Sequence, residues 1–200
     1  PNTGGMGTYS PAPFLAGDAL TEAGQLILRP WLKGWAAEGI DFRGILYPGL
    51  MLTATGPKVL EFNARFGDPE TQVYVTRLEN DLVELLMASV EGSLARVDLK
   101  WSPNCAVCVV LASAGYPGPY AKGKPIHGLA EAEKLPGVKV FHAGTAWQGA
   151  GFVTHGGRVL GVTALGADLR SARDQAYAAV ERIQFEGMQF RRDIAAKALG

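Results

Sequence analysis

At Asn104 the texture of the 200-residue chain changes, and this change constrains the fold more than any other feature. Before it, Asp18–Ala37 carries Leu20, Ala23, Ile27, Trp31 and Trp35 at the three-to-four spacing of one helical face. After it come the strand-length runs CAVCVVLAS, VKVFHAGT, GFVT and RVLGVTAL, separated by Gly and Pro turns. The expected class is α+β in two parts: residues 1–92, a linker at 93–103, and a small β-rich domain over 104–200. Pro30 interrupts the helical pattern, so a kink or a break near Arg29 is expected. The β-rich part closes on a helix from about Asp168, apolar at Leu169, Ala172, Ala176, Val180 and Ile183, followed by a short helix at 193–199.

Charge narrows the partners. Nineteen basic and nineteen acidic side chains cancel, with no charge run to make a field for nucleic acid or an anionic membrane. No apolar stretch reaches the ~20 residues of a bilayer span, and the opening PNTGGMGTYSP has neither a basic start nor an apolar core. A cytoplasmic location is expected. The first residue is Pro1, and the Pro-Asn-Thr-Gly-Gly run reads as the middle of a loop, so a fragment of a longer chain is also expected. Cys105 and Cys108 form a C-x-x-C spacing that invites a zinc or thiol-redox reading. In a strand, however, residues three apart point to opposite faces, and no second Cys pair exists, so both are read as small apolar residues of a buried strand.

Residues 42–53 and 58–63 are strand-like and joined by a short turn, a hairpin signal. The second strand ends in LEFNARFGDPE. If it stays extended, Glu61, Asn63 and Arg65 share one face, while Leu60, Phe62, Ala64 and Phe66 share the other, which is expected to be core. A carboxylate and an amide oxygen are hard ligands suited to Mg²⁺ completed by substrate phosphates, and Arg65 offers a planar fork to a carboxylate or a phosphoryl group. The same alternation also describes an ordinary wet strand face. The glycines of TGGMG permit close backbone approach to a phosphate, although the lysine of a P-loop is missing. Asp68 and Glu70 are open to an acid–base reading, but Asp-Pro-Glu reads better as a helix start with Asp68 as N-cap. Asp81 and Glu84 have capping-box-like spacing ahead of a second helix.

The ordered series PNTGGMGTYSPAP, LYPGLM, EFNARFGDPETQ, GYPG, IHGL, KVFHAGT, GGRVLGVTALG and RRDI resembles the second half of the phosphoribosylamine-glycine ligase family over essentially the whole chain. The resemblance implies the second half of an ATP-grasp domain, an antiparallel sheet with helices, followed by a small β-rich C-terminal domain. It implies ATP-dependent joining of glycine to 5-phosphoribosylamine in purine synthesis, with ADP and phosphate released through a glycyl phosphate. Glu61 and Asn63 match the family's Mg²⁺ or Mn²⁺ ligands, and Arg65 matches an arginine beside the acyl-phosphate site. Asn2, Thr3, Gly4, Gly5, Met6 and Gly7 match a substrate-side loop, with Arg158 as a further phosphate candidate beside Lys122 and Lys124. His127 and His142 are expected to be structural. The implied partners are glycine, 5-phosphoribosylamine and ATP, together with a missing N-terminal part of the same enzyme. The alternatives are another ATP-grasp carboxylate–amine ligase or carboxylase, and a non-catalytic module.

Overall fold

A computed structural model describes residues 5–15 and 17–200. In chain order the elements are β1 (Gly7–Ser10), α1 (Asp18–Ala37), β2 (Tyr47–Thr53), β3 (Gly56–Asn63), α2 (Glu70–Arg77) and α3 (Leu82–Glu91). After a single 3-10 turn at Leu94–Arg96 come β4 (Cys105–Ala112), α4 (Leu129–Glu133), β5 (Val138–His142), β6 (Thr145–Gln148), β7 (Gly151–Thr154), β8 (Arg158–Gly166), α5 (Leu169–Val180) and α6 (Ala196–Leu199). Contacts group them into a sheet unit, residues 1–11, 68–78 and 101–200, and a hairpin unit, residues 12–67 and 79–100. This grouping is a different partition from the linear division at 93–103, because β1 joins the sheet built by the later residues and α2 packs against it.

The sheet unit is built on four antiparallel strands in the order β1-β4-β8-β5. Its centre is β4, whose unbroken apolar run CAVCVVLA follows from burial on both faces, where no position is left for a polar residue. Val107, Val109 and Leu111 enter a core shared with Ala172, Ala176 and Val180 of α5. The alternate residues face the other way, Ala106 and Cys108 packing with Val73 of α2, and Val110 and Ala112 with Met6. Burying one such Val or Leu side chain is worth about 1.5–3 kcal/mol, so β4 is the main source of cohesion here. Cys105 packs against the α5-side core and Cys108 against the α2 side, the opposite faces that their spacing implied. Burial pushes the Cys108 thiol up to about 12, which keeps it protonated.

Two devices fix the edges of this unit. The Arg77 guanidinium donates from Nε to Asn104 O at 2.8 Å, from Nη1 to Ser10 Oγ at 2.6 Å and from Nη2 to Ser102 O at 3.1 Å, tying β1 to the entry of β4. The helix expected from Asp168 begins there: Ser171 N donates to Asp168 Oδ1 at 2.7 Å, and Asp168 N donates to Ser171 Oγ at 3.1 Å, a complete capping box. The run VKVFHAGT, read as one strand, divides after His142, and its last residue opens the separate β6–β7 hairpin. The terminal helix is shorter than expected, beginning at Ala196 rather than 193.

In the hairpin unit, α1 runs unbroken through Pro30, so the expected break does not occur. It buries Ala23 and Ile27, whereas Leu20 of the expected apolar face is exposed. Asp81 caps α3, accepting from Val83 N at 2.7 Å and Glu84 N at 3.3 Å. The antiparallel β2–β3 hairpin contains a bulge. Gly49 pairs with Glu61 and Leu50 with Val59, which leaves Leu60 with no partner. No helix among the described residues is long and apolar enough to cross a membrane.

Candidate functional site

The bulge determines what the end of β3 presents. Because Leu60 is the extra residue, Glu61 and Asn63 stand two apart on strand pairs opposite Gly49 and Tyr47. Asn63 Nδ2 donates to Glu61 Oε1 at 3.0 Å, which orients the amide and leaves Asn63 Oδ1 and Glu61 Oε2 free of that bond. A Cβ at Gly49 would lie 3.3 Å from Glu61 Cγ, so glycine there leaves room beside the carboxylate. Two oxygens of this kind fit a hard divalent cation that keeps water and phosphate oxygens in its other positions. Among the described residues no group of three or more His, Cys, Asp or Glu is placed to hold a metal.

The regular alternation expected to continue beyond Asn63 does not hold. The strand ends at Asn63, Arg65 lies in the following bend, and its Nη1 donates to Phe66 O at 2.8 Å. Arg65 is therefore exposed near the pair but is not in its strand row. The opposite row is not core either: Leu60 is 65% exposed at the bulge and Phe62 42%. Phe62 instead stacks on Trp31 at 5.8 Å, in an aromatic group with Trp35 and Phe42.

In the sheet unit, Asp68 does not cap α2. The N-cap position is Pro69, with no side-chain cap bond. The Asp68 carboxylate instead takes Arg158 Nη2 at 2.9 Å on Oδ2 and Gln72 Nε2 at 2.9 Å on Oδ1. Arg158 Nη1 donates to Asp68 O at 2.8 Å and Gly5 O at 3.1 Å. Sequence reasoning missed this tie, which spans 90 residues of chain and carried no local signal. Glu70 stands in the first turn of α2, where the helix dipole favours it, as expected.

Of the opening loop, Asn2, Thr3 and Gly4 lie outside the described residues. Gly5 has φ 87°, and a Cβ there would sit 2.5 Å from Pro69 Cδ. Gly7 is as crowded, its missing Cβ lying 2.6 Å from Ile194 Cδ1. Met6 is buried, and its carbonyl accepts from Val110 N at 3.1 Å. The two described glycines are thus small because protein packs against them. The remaining candidates are dispersed: Lys124 Nζ pairs with Glu186 at 2.7 Å, Lys122 is exposed, His142 Nδ1 meets Thr145 Oγ1 at 3.0 Å, and the His127 backbone bridges Gln184.

Comparison with known proteins adds sequence and fold. Residues 1–71 match the family described as phosphoribosylglycinamide synthetase, ATP-grasp (A) domain, and residues 106–197 its C domain. The chain is 54% identical over 191 residues to a phosphoribosylamine–glycine ligase of Vigna unguiculata, covering 94% of this chain and 61% of that protein. A crystal structure of the Thermotoga maritima phosphoribosylamine–glycine ligase superposes with a TM-score of 0.83 at 40% identity, over 98% of this chain and 47% of that one. The biotin carboxylase domain of a Hydrogenobacter thermophilus 2-oxoglutarate carboxylase shares the fold, with a TM-score of 0.66 at 15% identity over 93% of this chain and 40% of that one. The chain spans about half the length of the curated relatives it matches.

Proposed function

Because the chain belongs to the phosphoribosylglycinamide synthetase family, we propose that it forms part of an ATP-dependent carboxylate–amine ligase that joins glycine to 5-phosphoribosylamine in purine synthesis. The single observation that carries this reading is the Glu61–Asn63 pair, a carboxylate and an amide held together by a hydrogen bond at the end of β3, each with a hard oxygen outside that bond. A divalent cation, Mg²⁺ or Mn²⁺, would be held there and would neutralise charge on the ATP phosphates. Arg65 supplies a guanidinium for the phosphoryl group in transfer.

A carboxylate is a poor acyl donor, so a glycine oxygen first attacks the γ-phosphorus of ATP and ADP leaves. The amine nitrogen of 5-phosphoribosylamine then attacks the glycyl phosphate. The C–N bond forms, the C–O bond to phosphate breaks, the amine gives up its proton, and inorganic phosphate departs. No histidine base is needed, because the neutral amine is nucleophilic and phosphate leaves as an anion; positioning and electrostatics carry the rate. Asn2 to Gly7 are assigned the substrate-side role in this reading. Arg158 acts through the Gly5 carbonyl that it holds. Residues 1–92 serve as the ATP-grasp portion and 104–200 as the C-terminal domain, with an N-terminal part of the same enzyme completing the site.

The test uses the full-length enzyme with MgATP, glycine and 5-phosphoribosylamine, measuring ADP and the amide product, with other carboxylates in parallel. Glycine-dependent ADP release is expected to fall by about a hundredfold or more in Glu61→Gln and in Asn63→Ala, with little change in unfolding temperature. Turnover with another carboxylate but not glycine would refute the substrate, and full activity in either variant would refute the metal ligands.

A further inference from the structure

The segment QFRRDIA, residues 189–195, is pinned by its backbone. The Tyr177 hydroxyl of α5 donates to Arg191 O at 2.7 Å and accepts from Ile194 N at 3.2 Å. Arg173 Nε donates to Ile194 O at 3.2 Å, and its guanidinium lies 5.4 Å from the Tyr177 ring centre. Upstream, Gln189 exchanges backbone bonds with Ala112, and its side chain donates to the carbonyls of Ser113 and Tyr116. Ile194 packs onto Gly7, so the segment lies along β1. Holding a turn by its main chain leaves its side chains available for something else.

Those side chains are Arg191 and Asp193, and they border open space. A cavity of about 210 Å³ is lined by Gly7, Tyr9, Arg191, Asp193, Ile194 and Lys197, with Ala195 closing it. Arg191 also borders a smaller cavity of about 80 Å³ with Met6 and Tyr116. Its Nε lies 2.7 Å from Asp193 Oδ1 and its Nη2 contacts Oδ2, so the carboxylate fixes the guanidinium plane. Among the described residues, Arg191 Nη1 has no hydrogen-bond partner. The contrast with Arg158 is direct. Both arginines neighbour the Gly5–Gly7 segment, but Arg158 is spent on Gly5 and Asp68, whereas Arg191 keeps a donor and lines a cavity that Lys197 also lines.

We propose that Arg191 and Lys197 bind the phosphate of a sugar-phosphate substrate in this cavity, that Asp193 accepts from its hydroxyls, and that Tyr177 is the positioning residue for the turn. The assignment rests on the ligase reading above, since it locates that reaction's sugar phosphate. Two cations suit a phosphate dianion. A carboxylate in the same cavity disfavours a bare anion and suits one that brings hydroxyl donors, so ribose 5-phosphate binds more tightly than inorganic phosphate.

The test uses the full-length enzyme, with calorimetric binding of ribose 5-phosphate and of inorganic phosphate alongside steady-state constants for all three substrates. Arg191→Met should raise both the ribose 5-phosphate Kd and the phosphoribosylamine KM by about tenfold or more, while the ATP and glycine KM values stay within about twofold. Arg191→Lys should recover part of the loss, and Tyr177→Phe should raise the same two constants severalfold. Unchanged ribose 5-phosphate binding in Arg191→Met, an equal rise in all three KM values, or no ribose 5-phosphate binding by the unaltered enzyme would each overturn the proposal. If ribose 5-phosphate binds through Arg191 but glycine is not ligated, the cavity assignment stands and the ligase reading fails.

Discussion

The four-stranded sheet and the β2–β3 ribbon treat their apolar residues in opposite ways. In the sheet unit, β4 is covered by α5 on one face and by α2 and Met6 on the other, and its residues 106–112 are all buried. In the hairpin unit, Met51, Leu52, Val59, Leu60 and Phe62 of the β2–β3 ribbon are all exposed. A two-stranded ribbon is marginal by itself and needs further strands or a helix against it. The sheet unit packs both faces of its central strand, whereas the hairpin unit, which carries the proposed site residues Glu61, Asn63 and Arg65, leaves much of its ribbon uncovered.

The largest test of this contrast is a matched pair of truncations. Leu111→Ala should lower the unfolding free energy by about 2–5 kcal/mol in urea titrations, since a cavity is left in a packed core. Leu60→Ala, the same chemistry at the exposed bulge, should stay within about 0.5 kcal/mol. Comparable losses at both sites would abolish the distinction. Next, Arg158→Met removes a donor from the Asp68 carbonyl, from Asp68 Oδ2 and from Gly5 O, leaving the carboxylate its Gln72 bond, and should cost about 1–3 kcal/mol, read by the same titration.

Two smaller effects refine the picture within the sheet unit. A thiol reagent at mildly alkaline pH should label Cys105 first and Cys108 only on unfolding, because Cys108 is buried and its thiol is held near 12. Simultaneous labelling would mean that β4 opens readily. Last, backbone and side-chain bonds from Ser171 hold the Asp168 carboxyl below its ordinary value, so its contribution is present above the usual carboxylate range and fades as pH falls through it. Asp168→Ala should lower the unfolding temperature by roughly a few degrees at neutral pH, and the gap should close in acid.

What could be read from the sequence depended on whether the deciding contact was local. The α1 helix, the cap at Asp168 and the opposite-facing cysteines rest on periodicity and short-range chemistry, and they appear where the residues indicated. The Glu61–Asn63 pair was legible as an i, i+2 spacing. The bulge at Leu60 was not, since it depends on how β2 registers against β3, nor was the exposure of Leu60 and Phe62, which depends on what covers the ribbon. Asp68 looked like an N-cap because Asp-Pro-Glu is a strong local signal, but a distant guanidinium claimed its carboxylate. The Arg191 turn appeared only as RRDI in the family series, and its hold on Tyr177 and Gly7 was not legible, because those residues lie elsewhere in the chain.

The pairing of β1 with β4 also bears on how the chain is made. Thr8 stands opposite Cys108, so among the described residues β1 finds its neighbour in the sheet about a hundred residues further along the chain. At ribosomal speeds of roughly 5–20 residues per second, that partner emerges about 5–20 s after β1 does. Throughout that interval Gly7–Ser10 is an unpaired edge, short and carrying Thr, Tyr and Ser, which limits its attraction for other nascent strands. The sheet unit is therefore closed by a strand written well before its partner, and docking of β1 is the step expected to come late in folding.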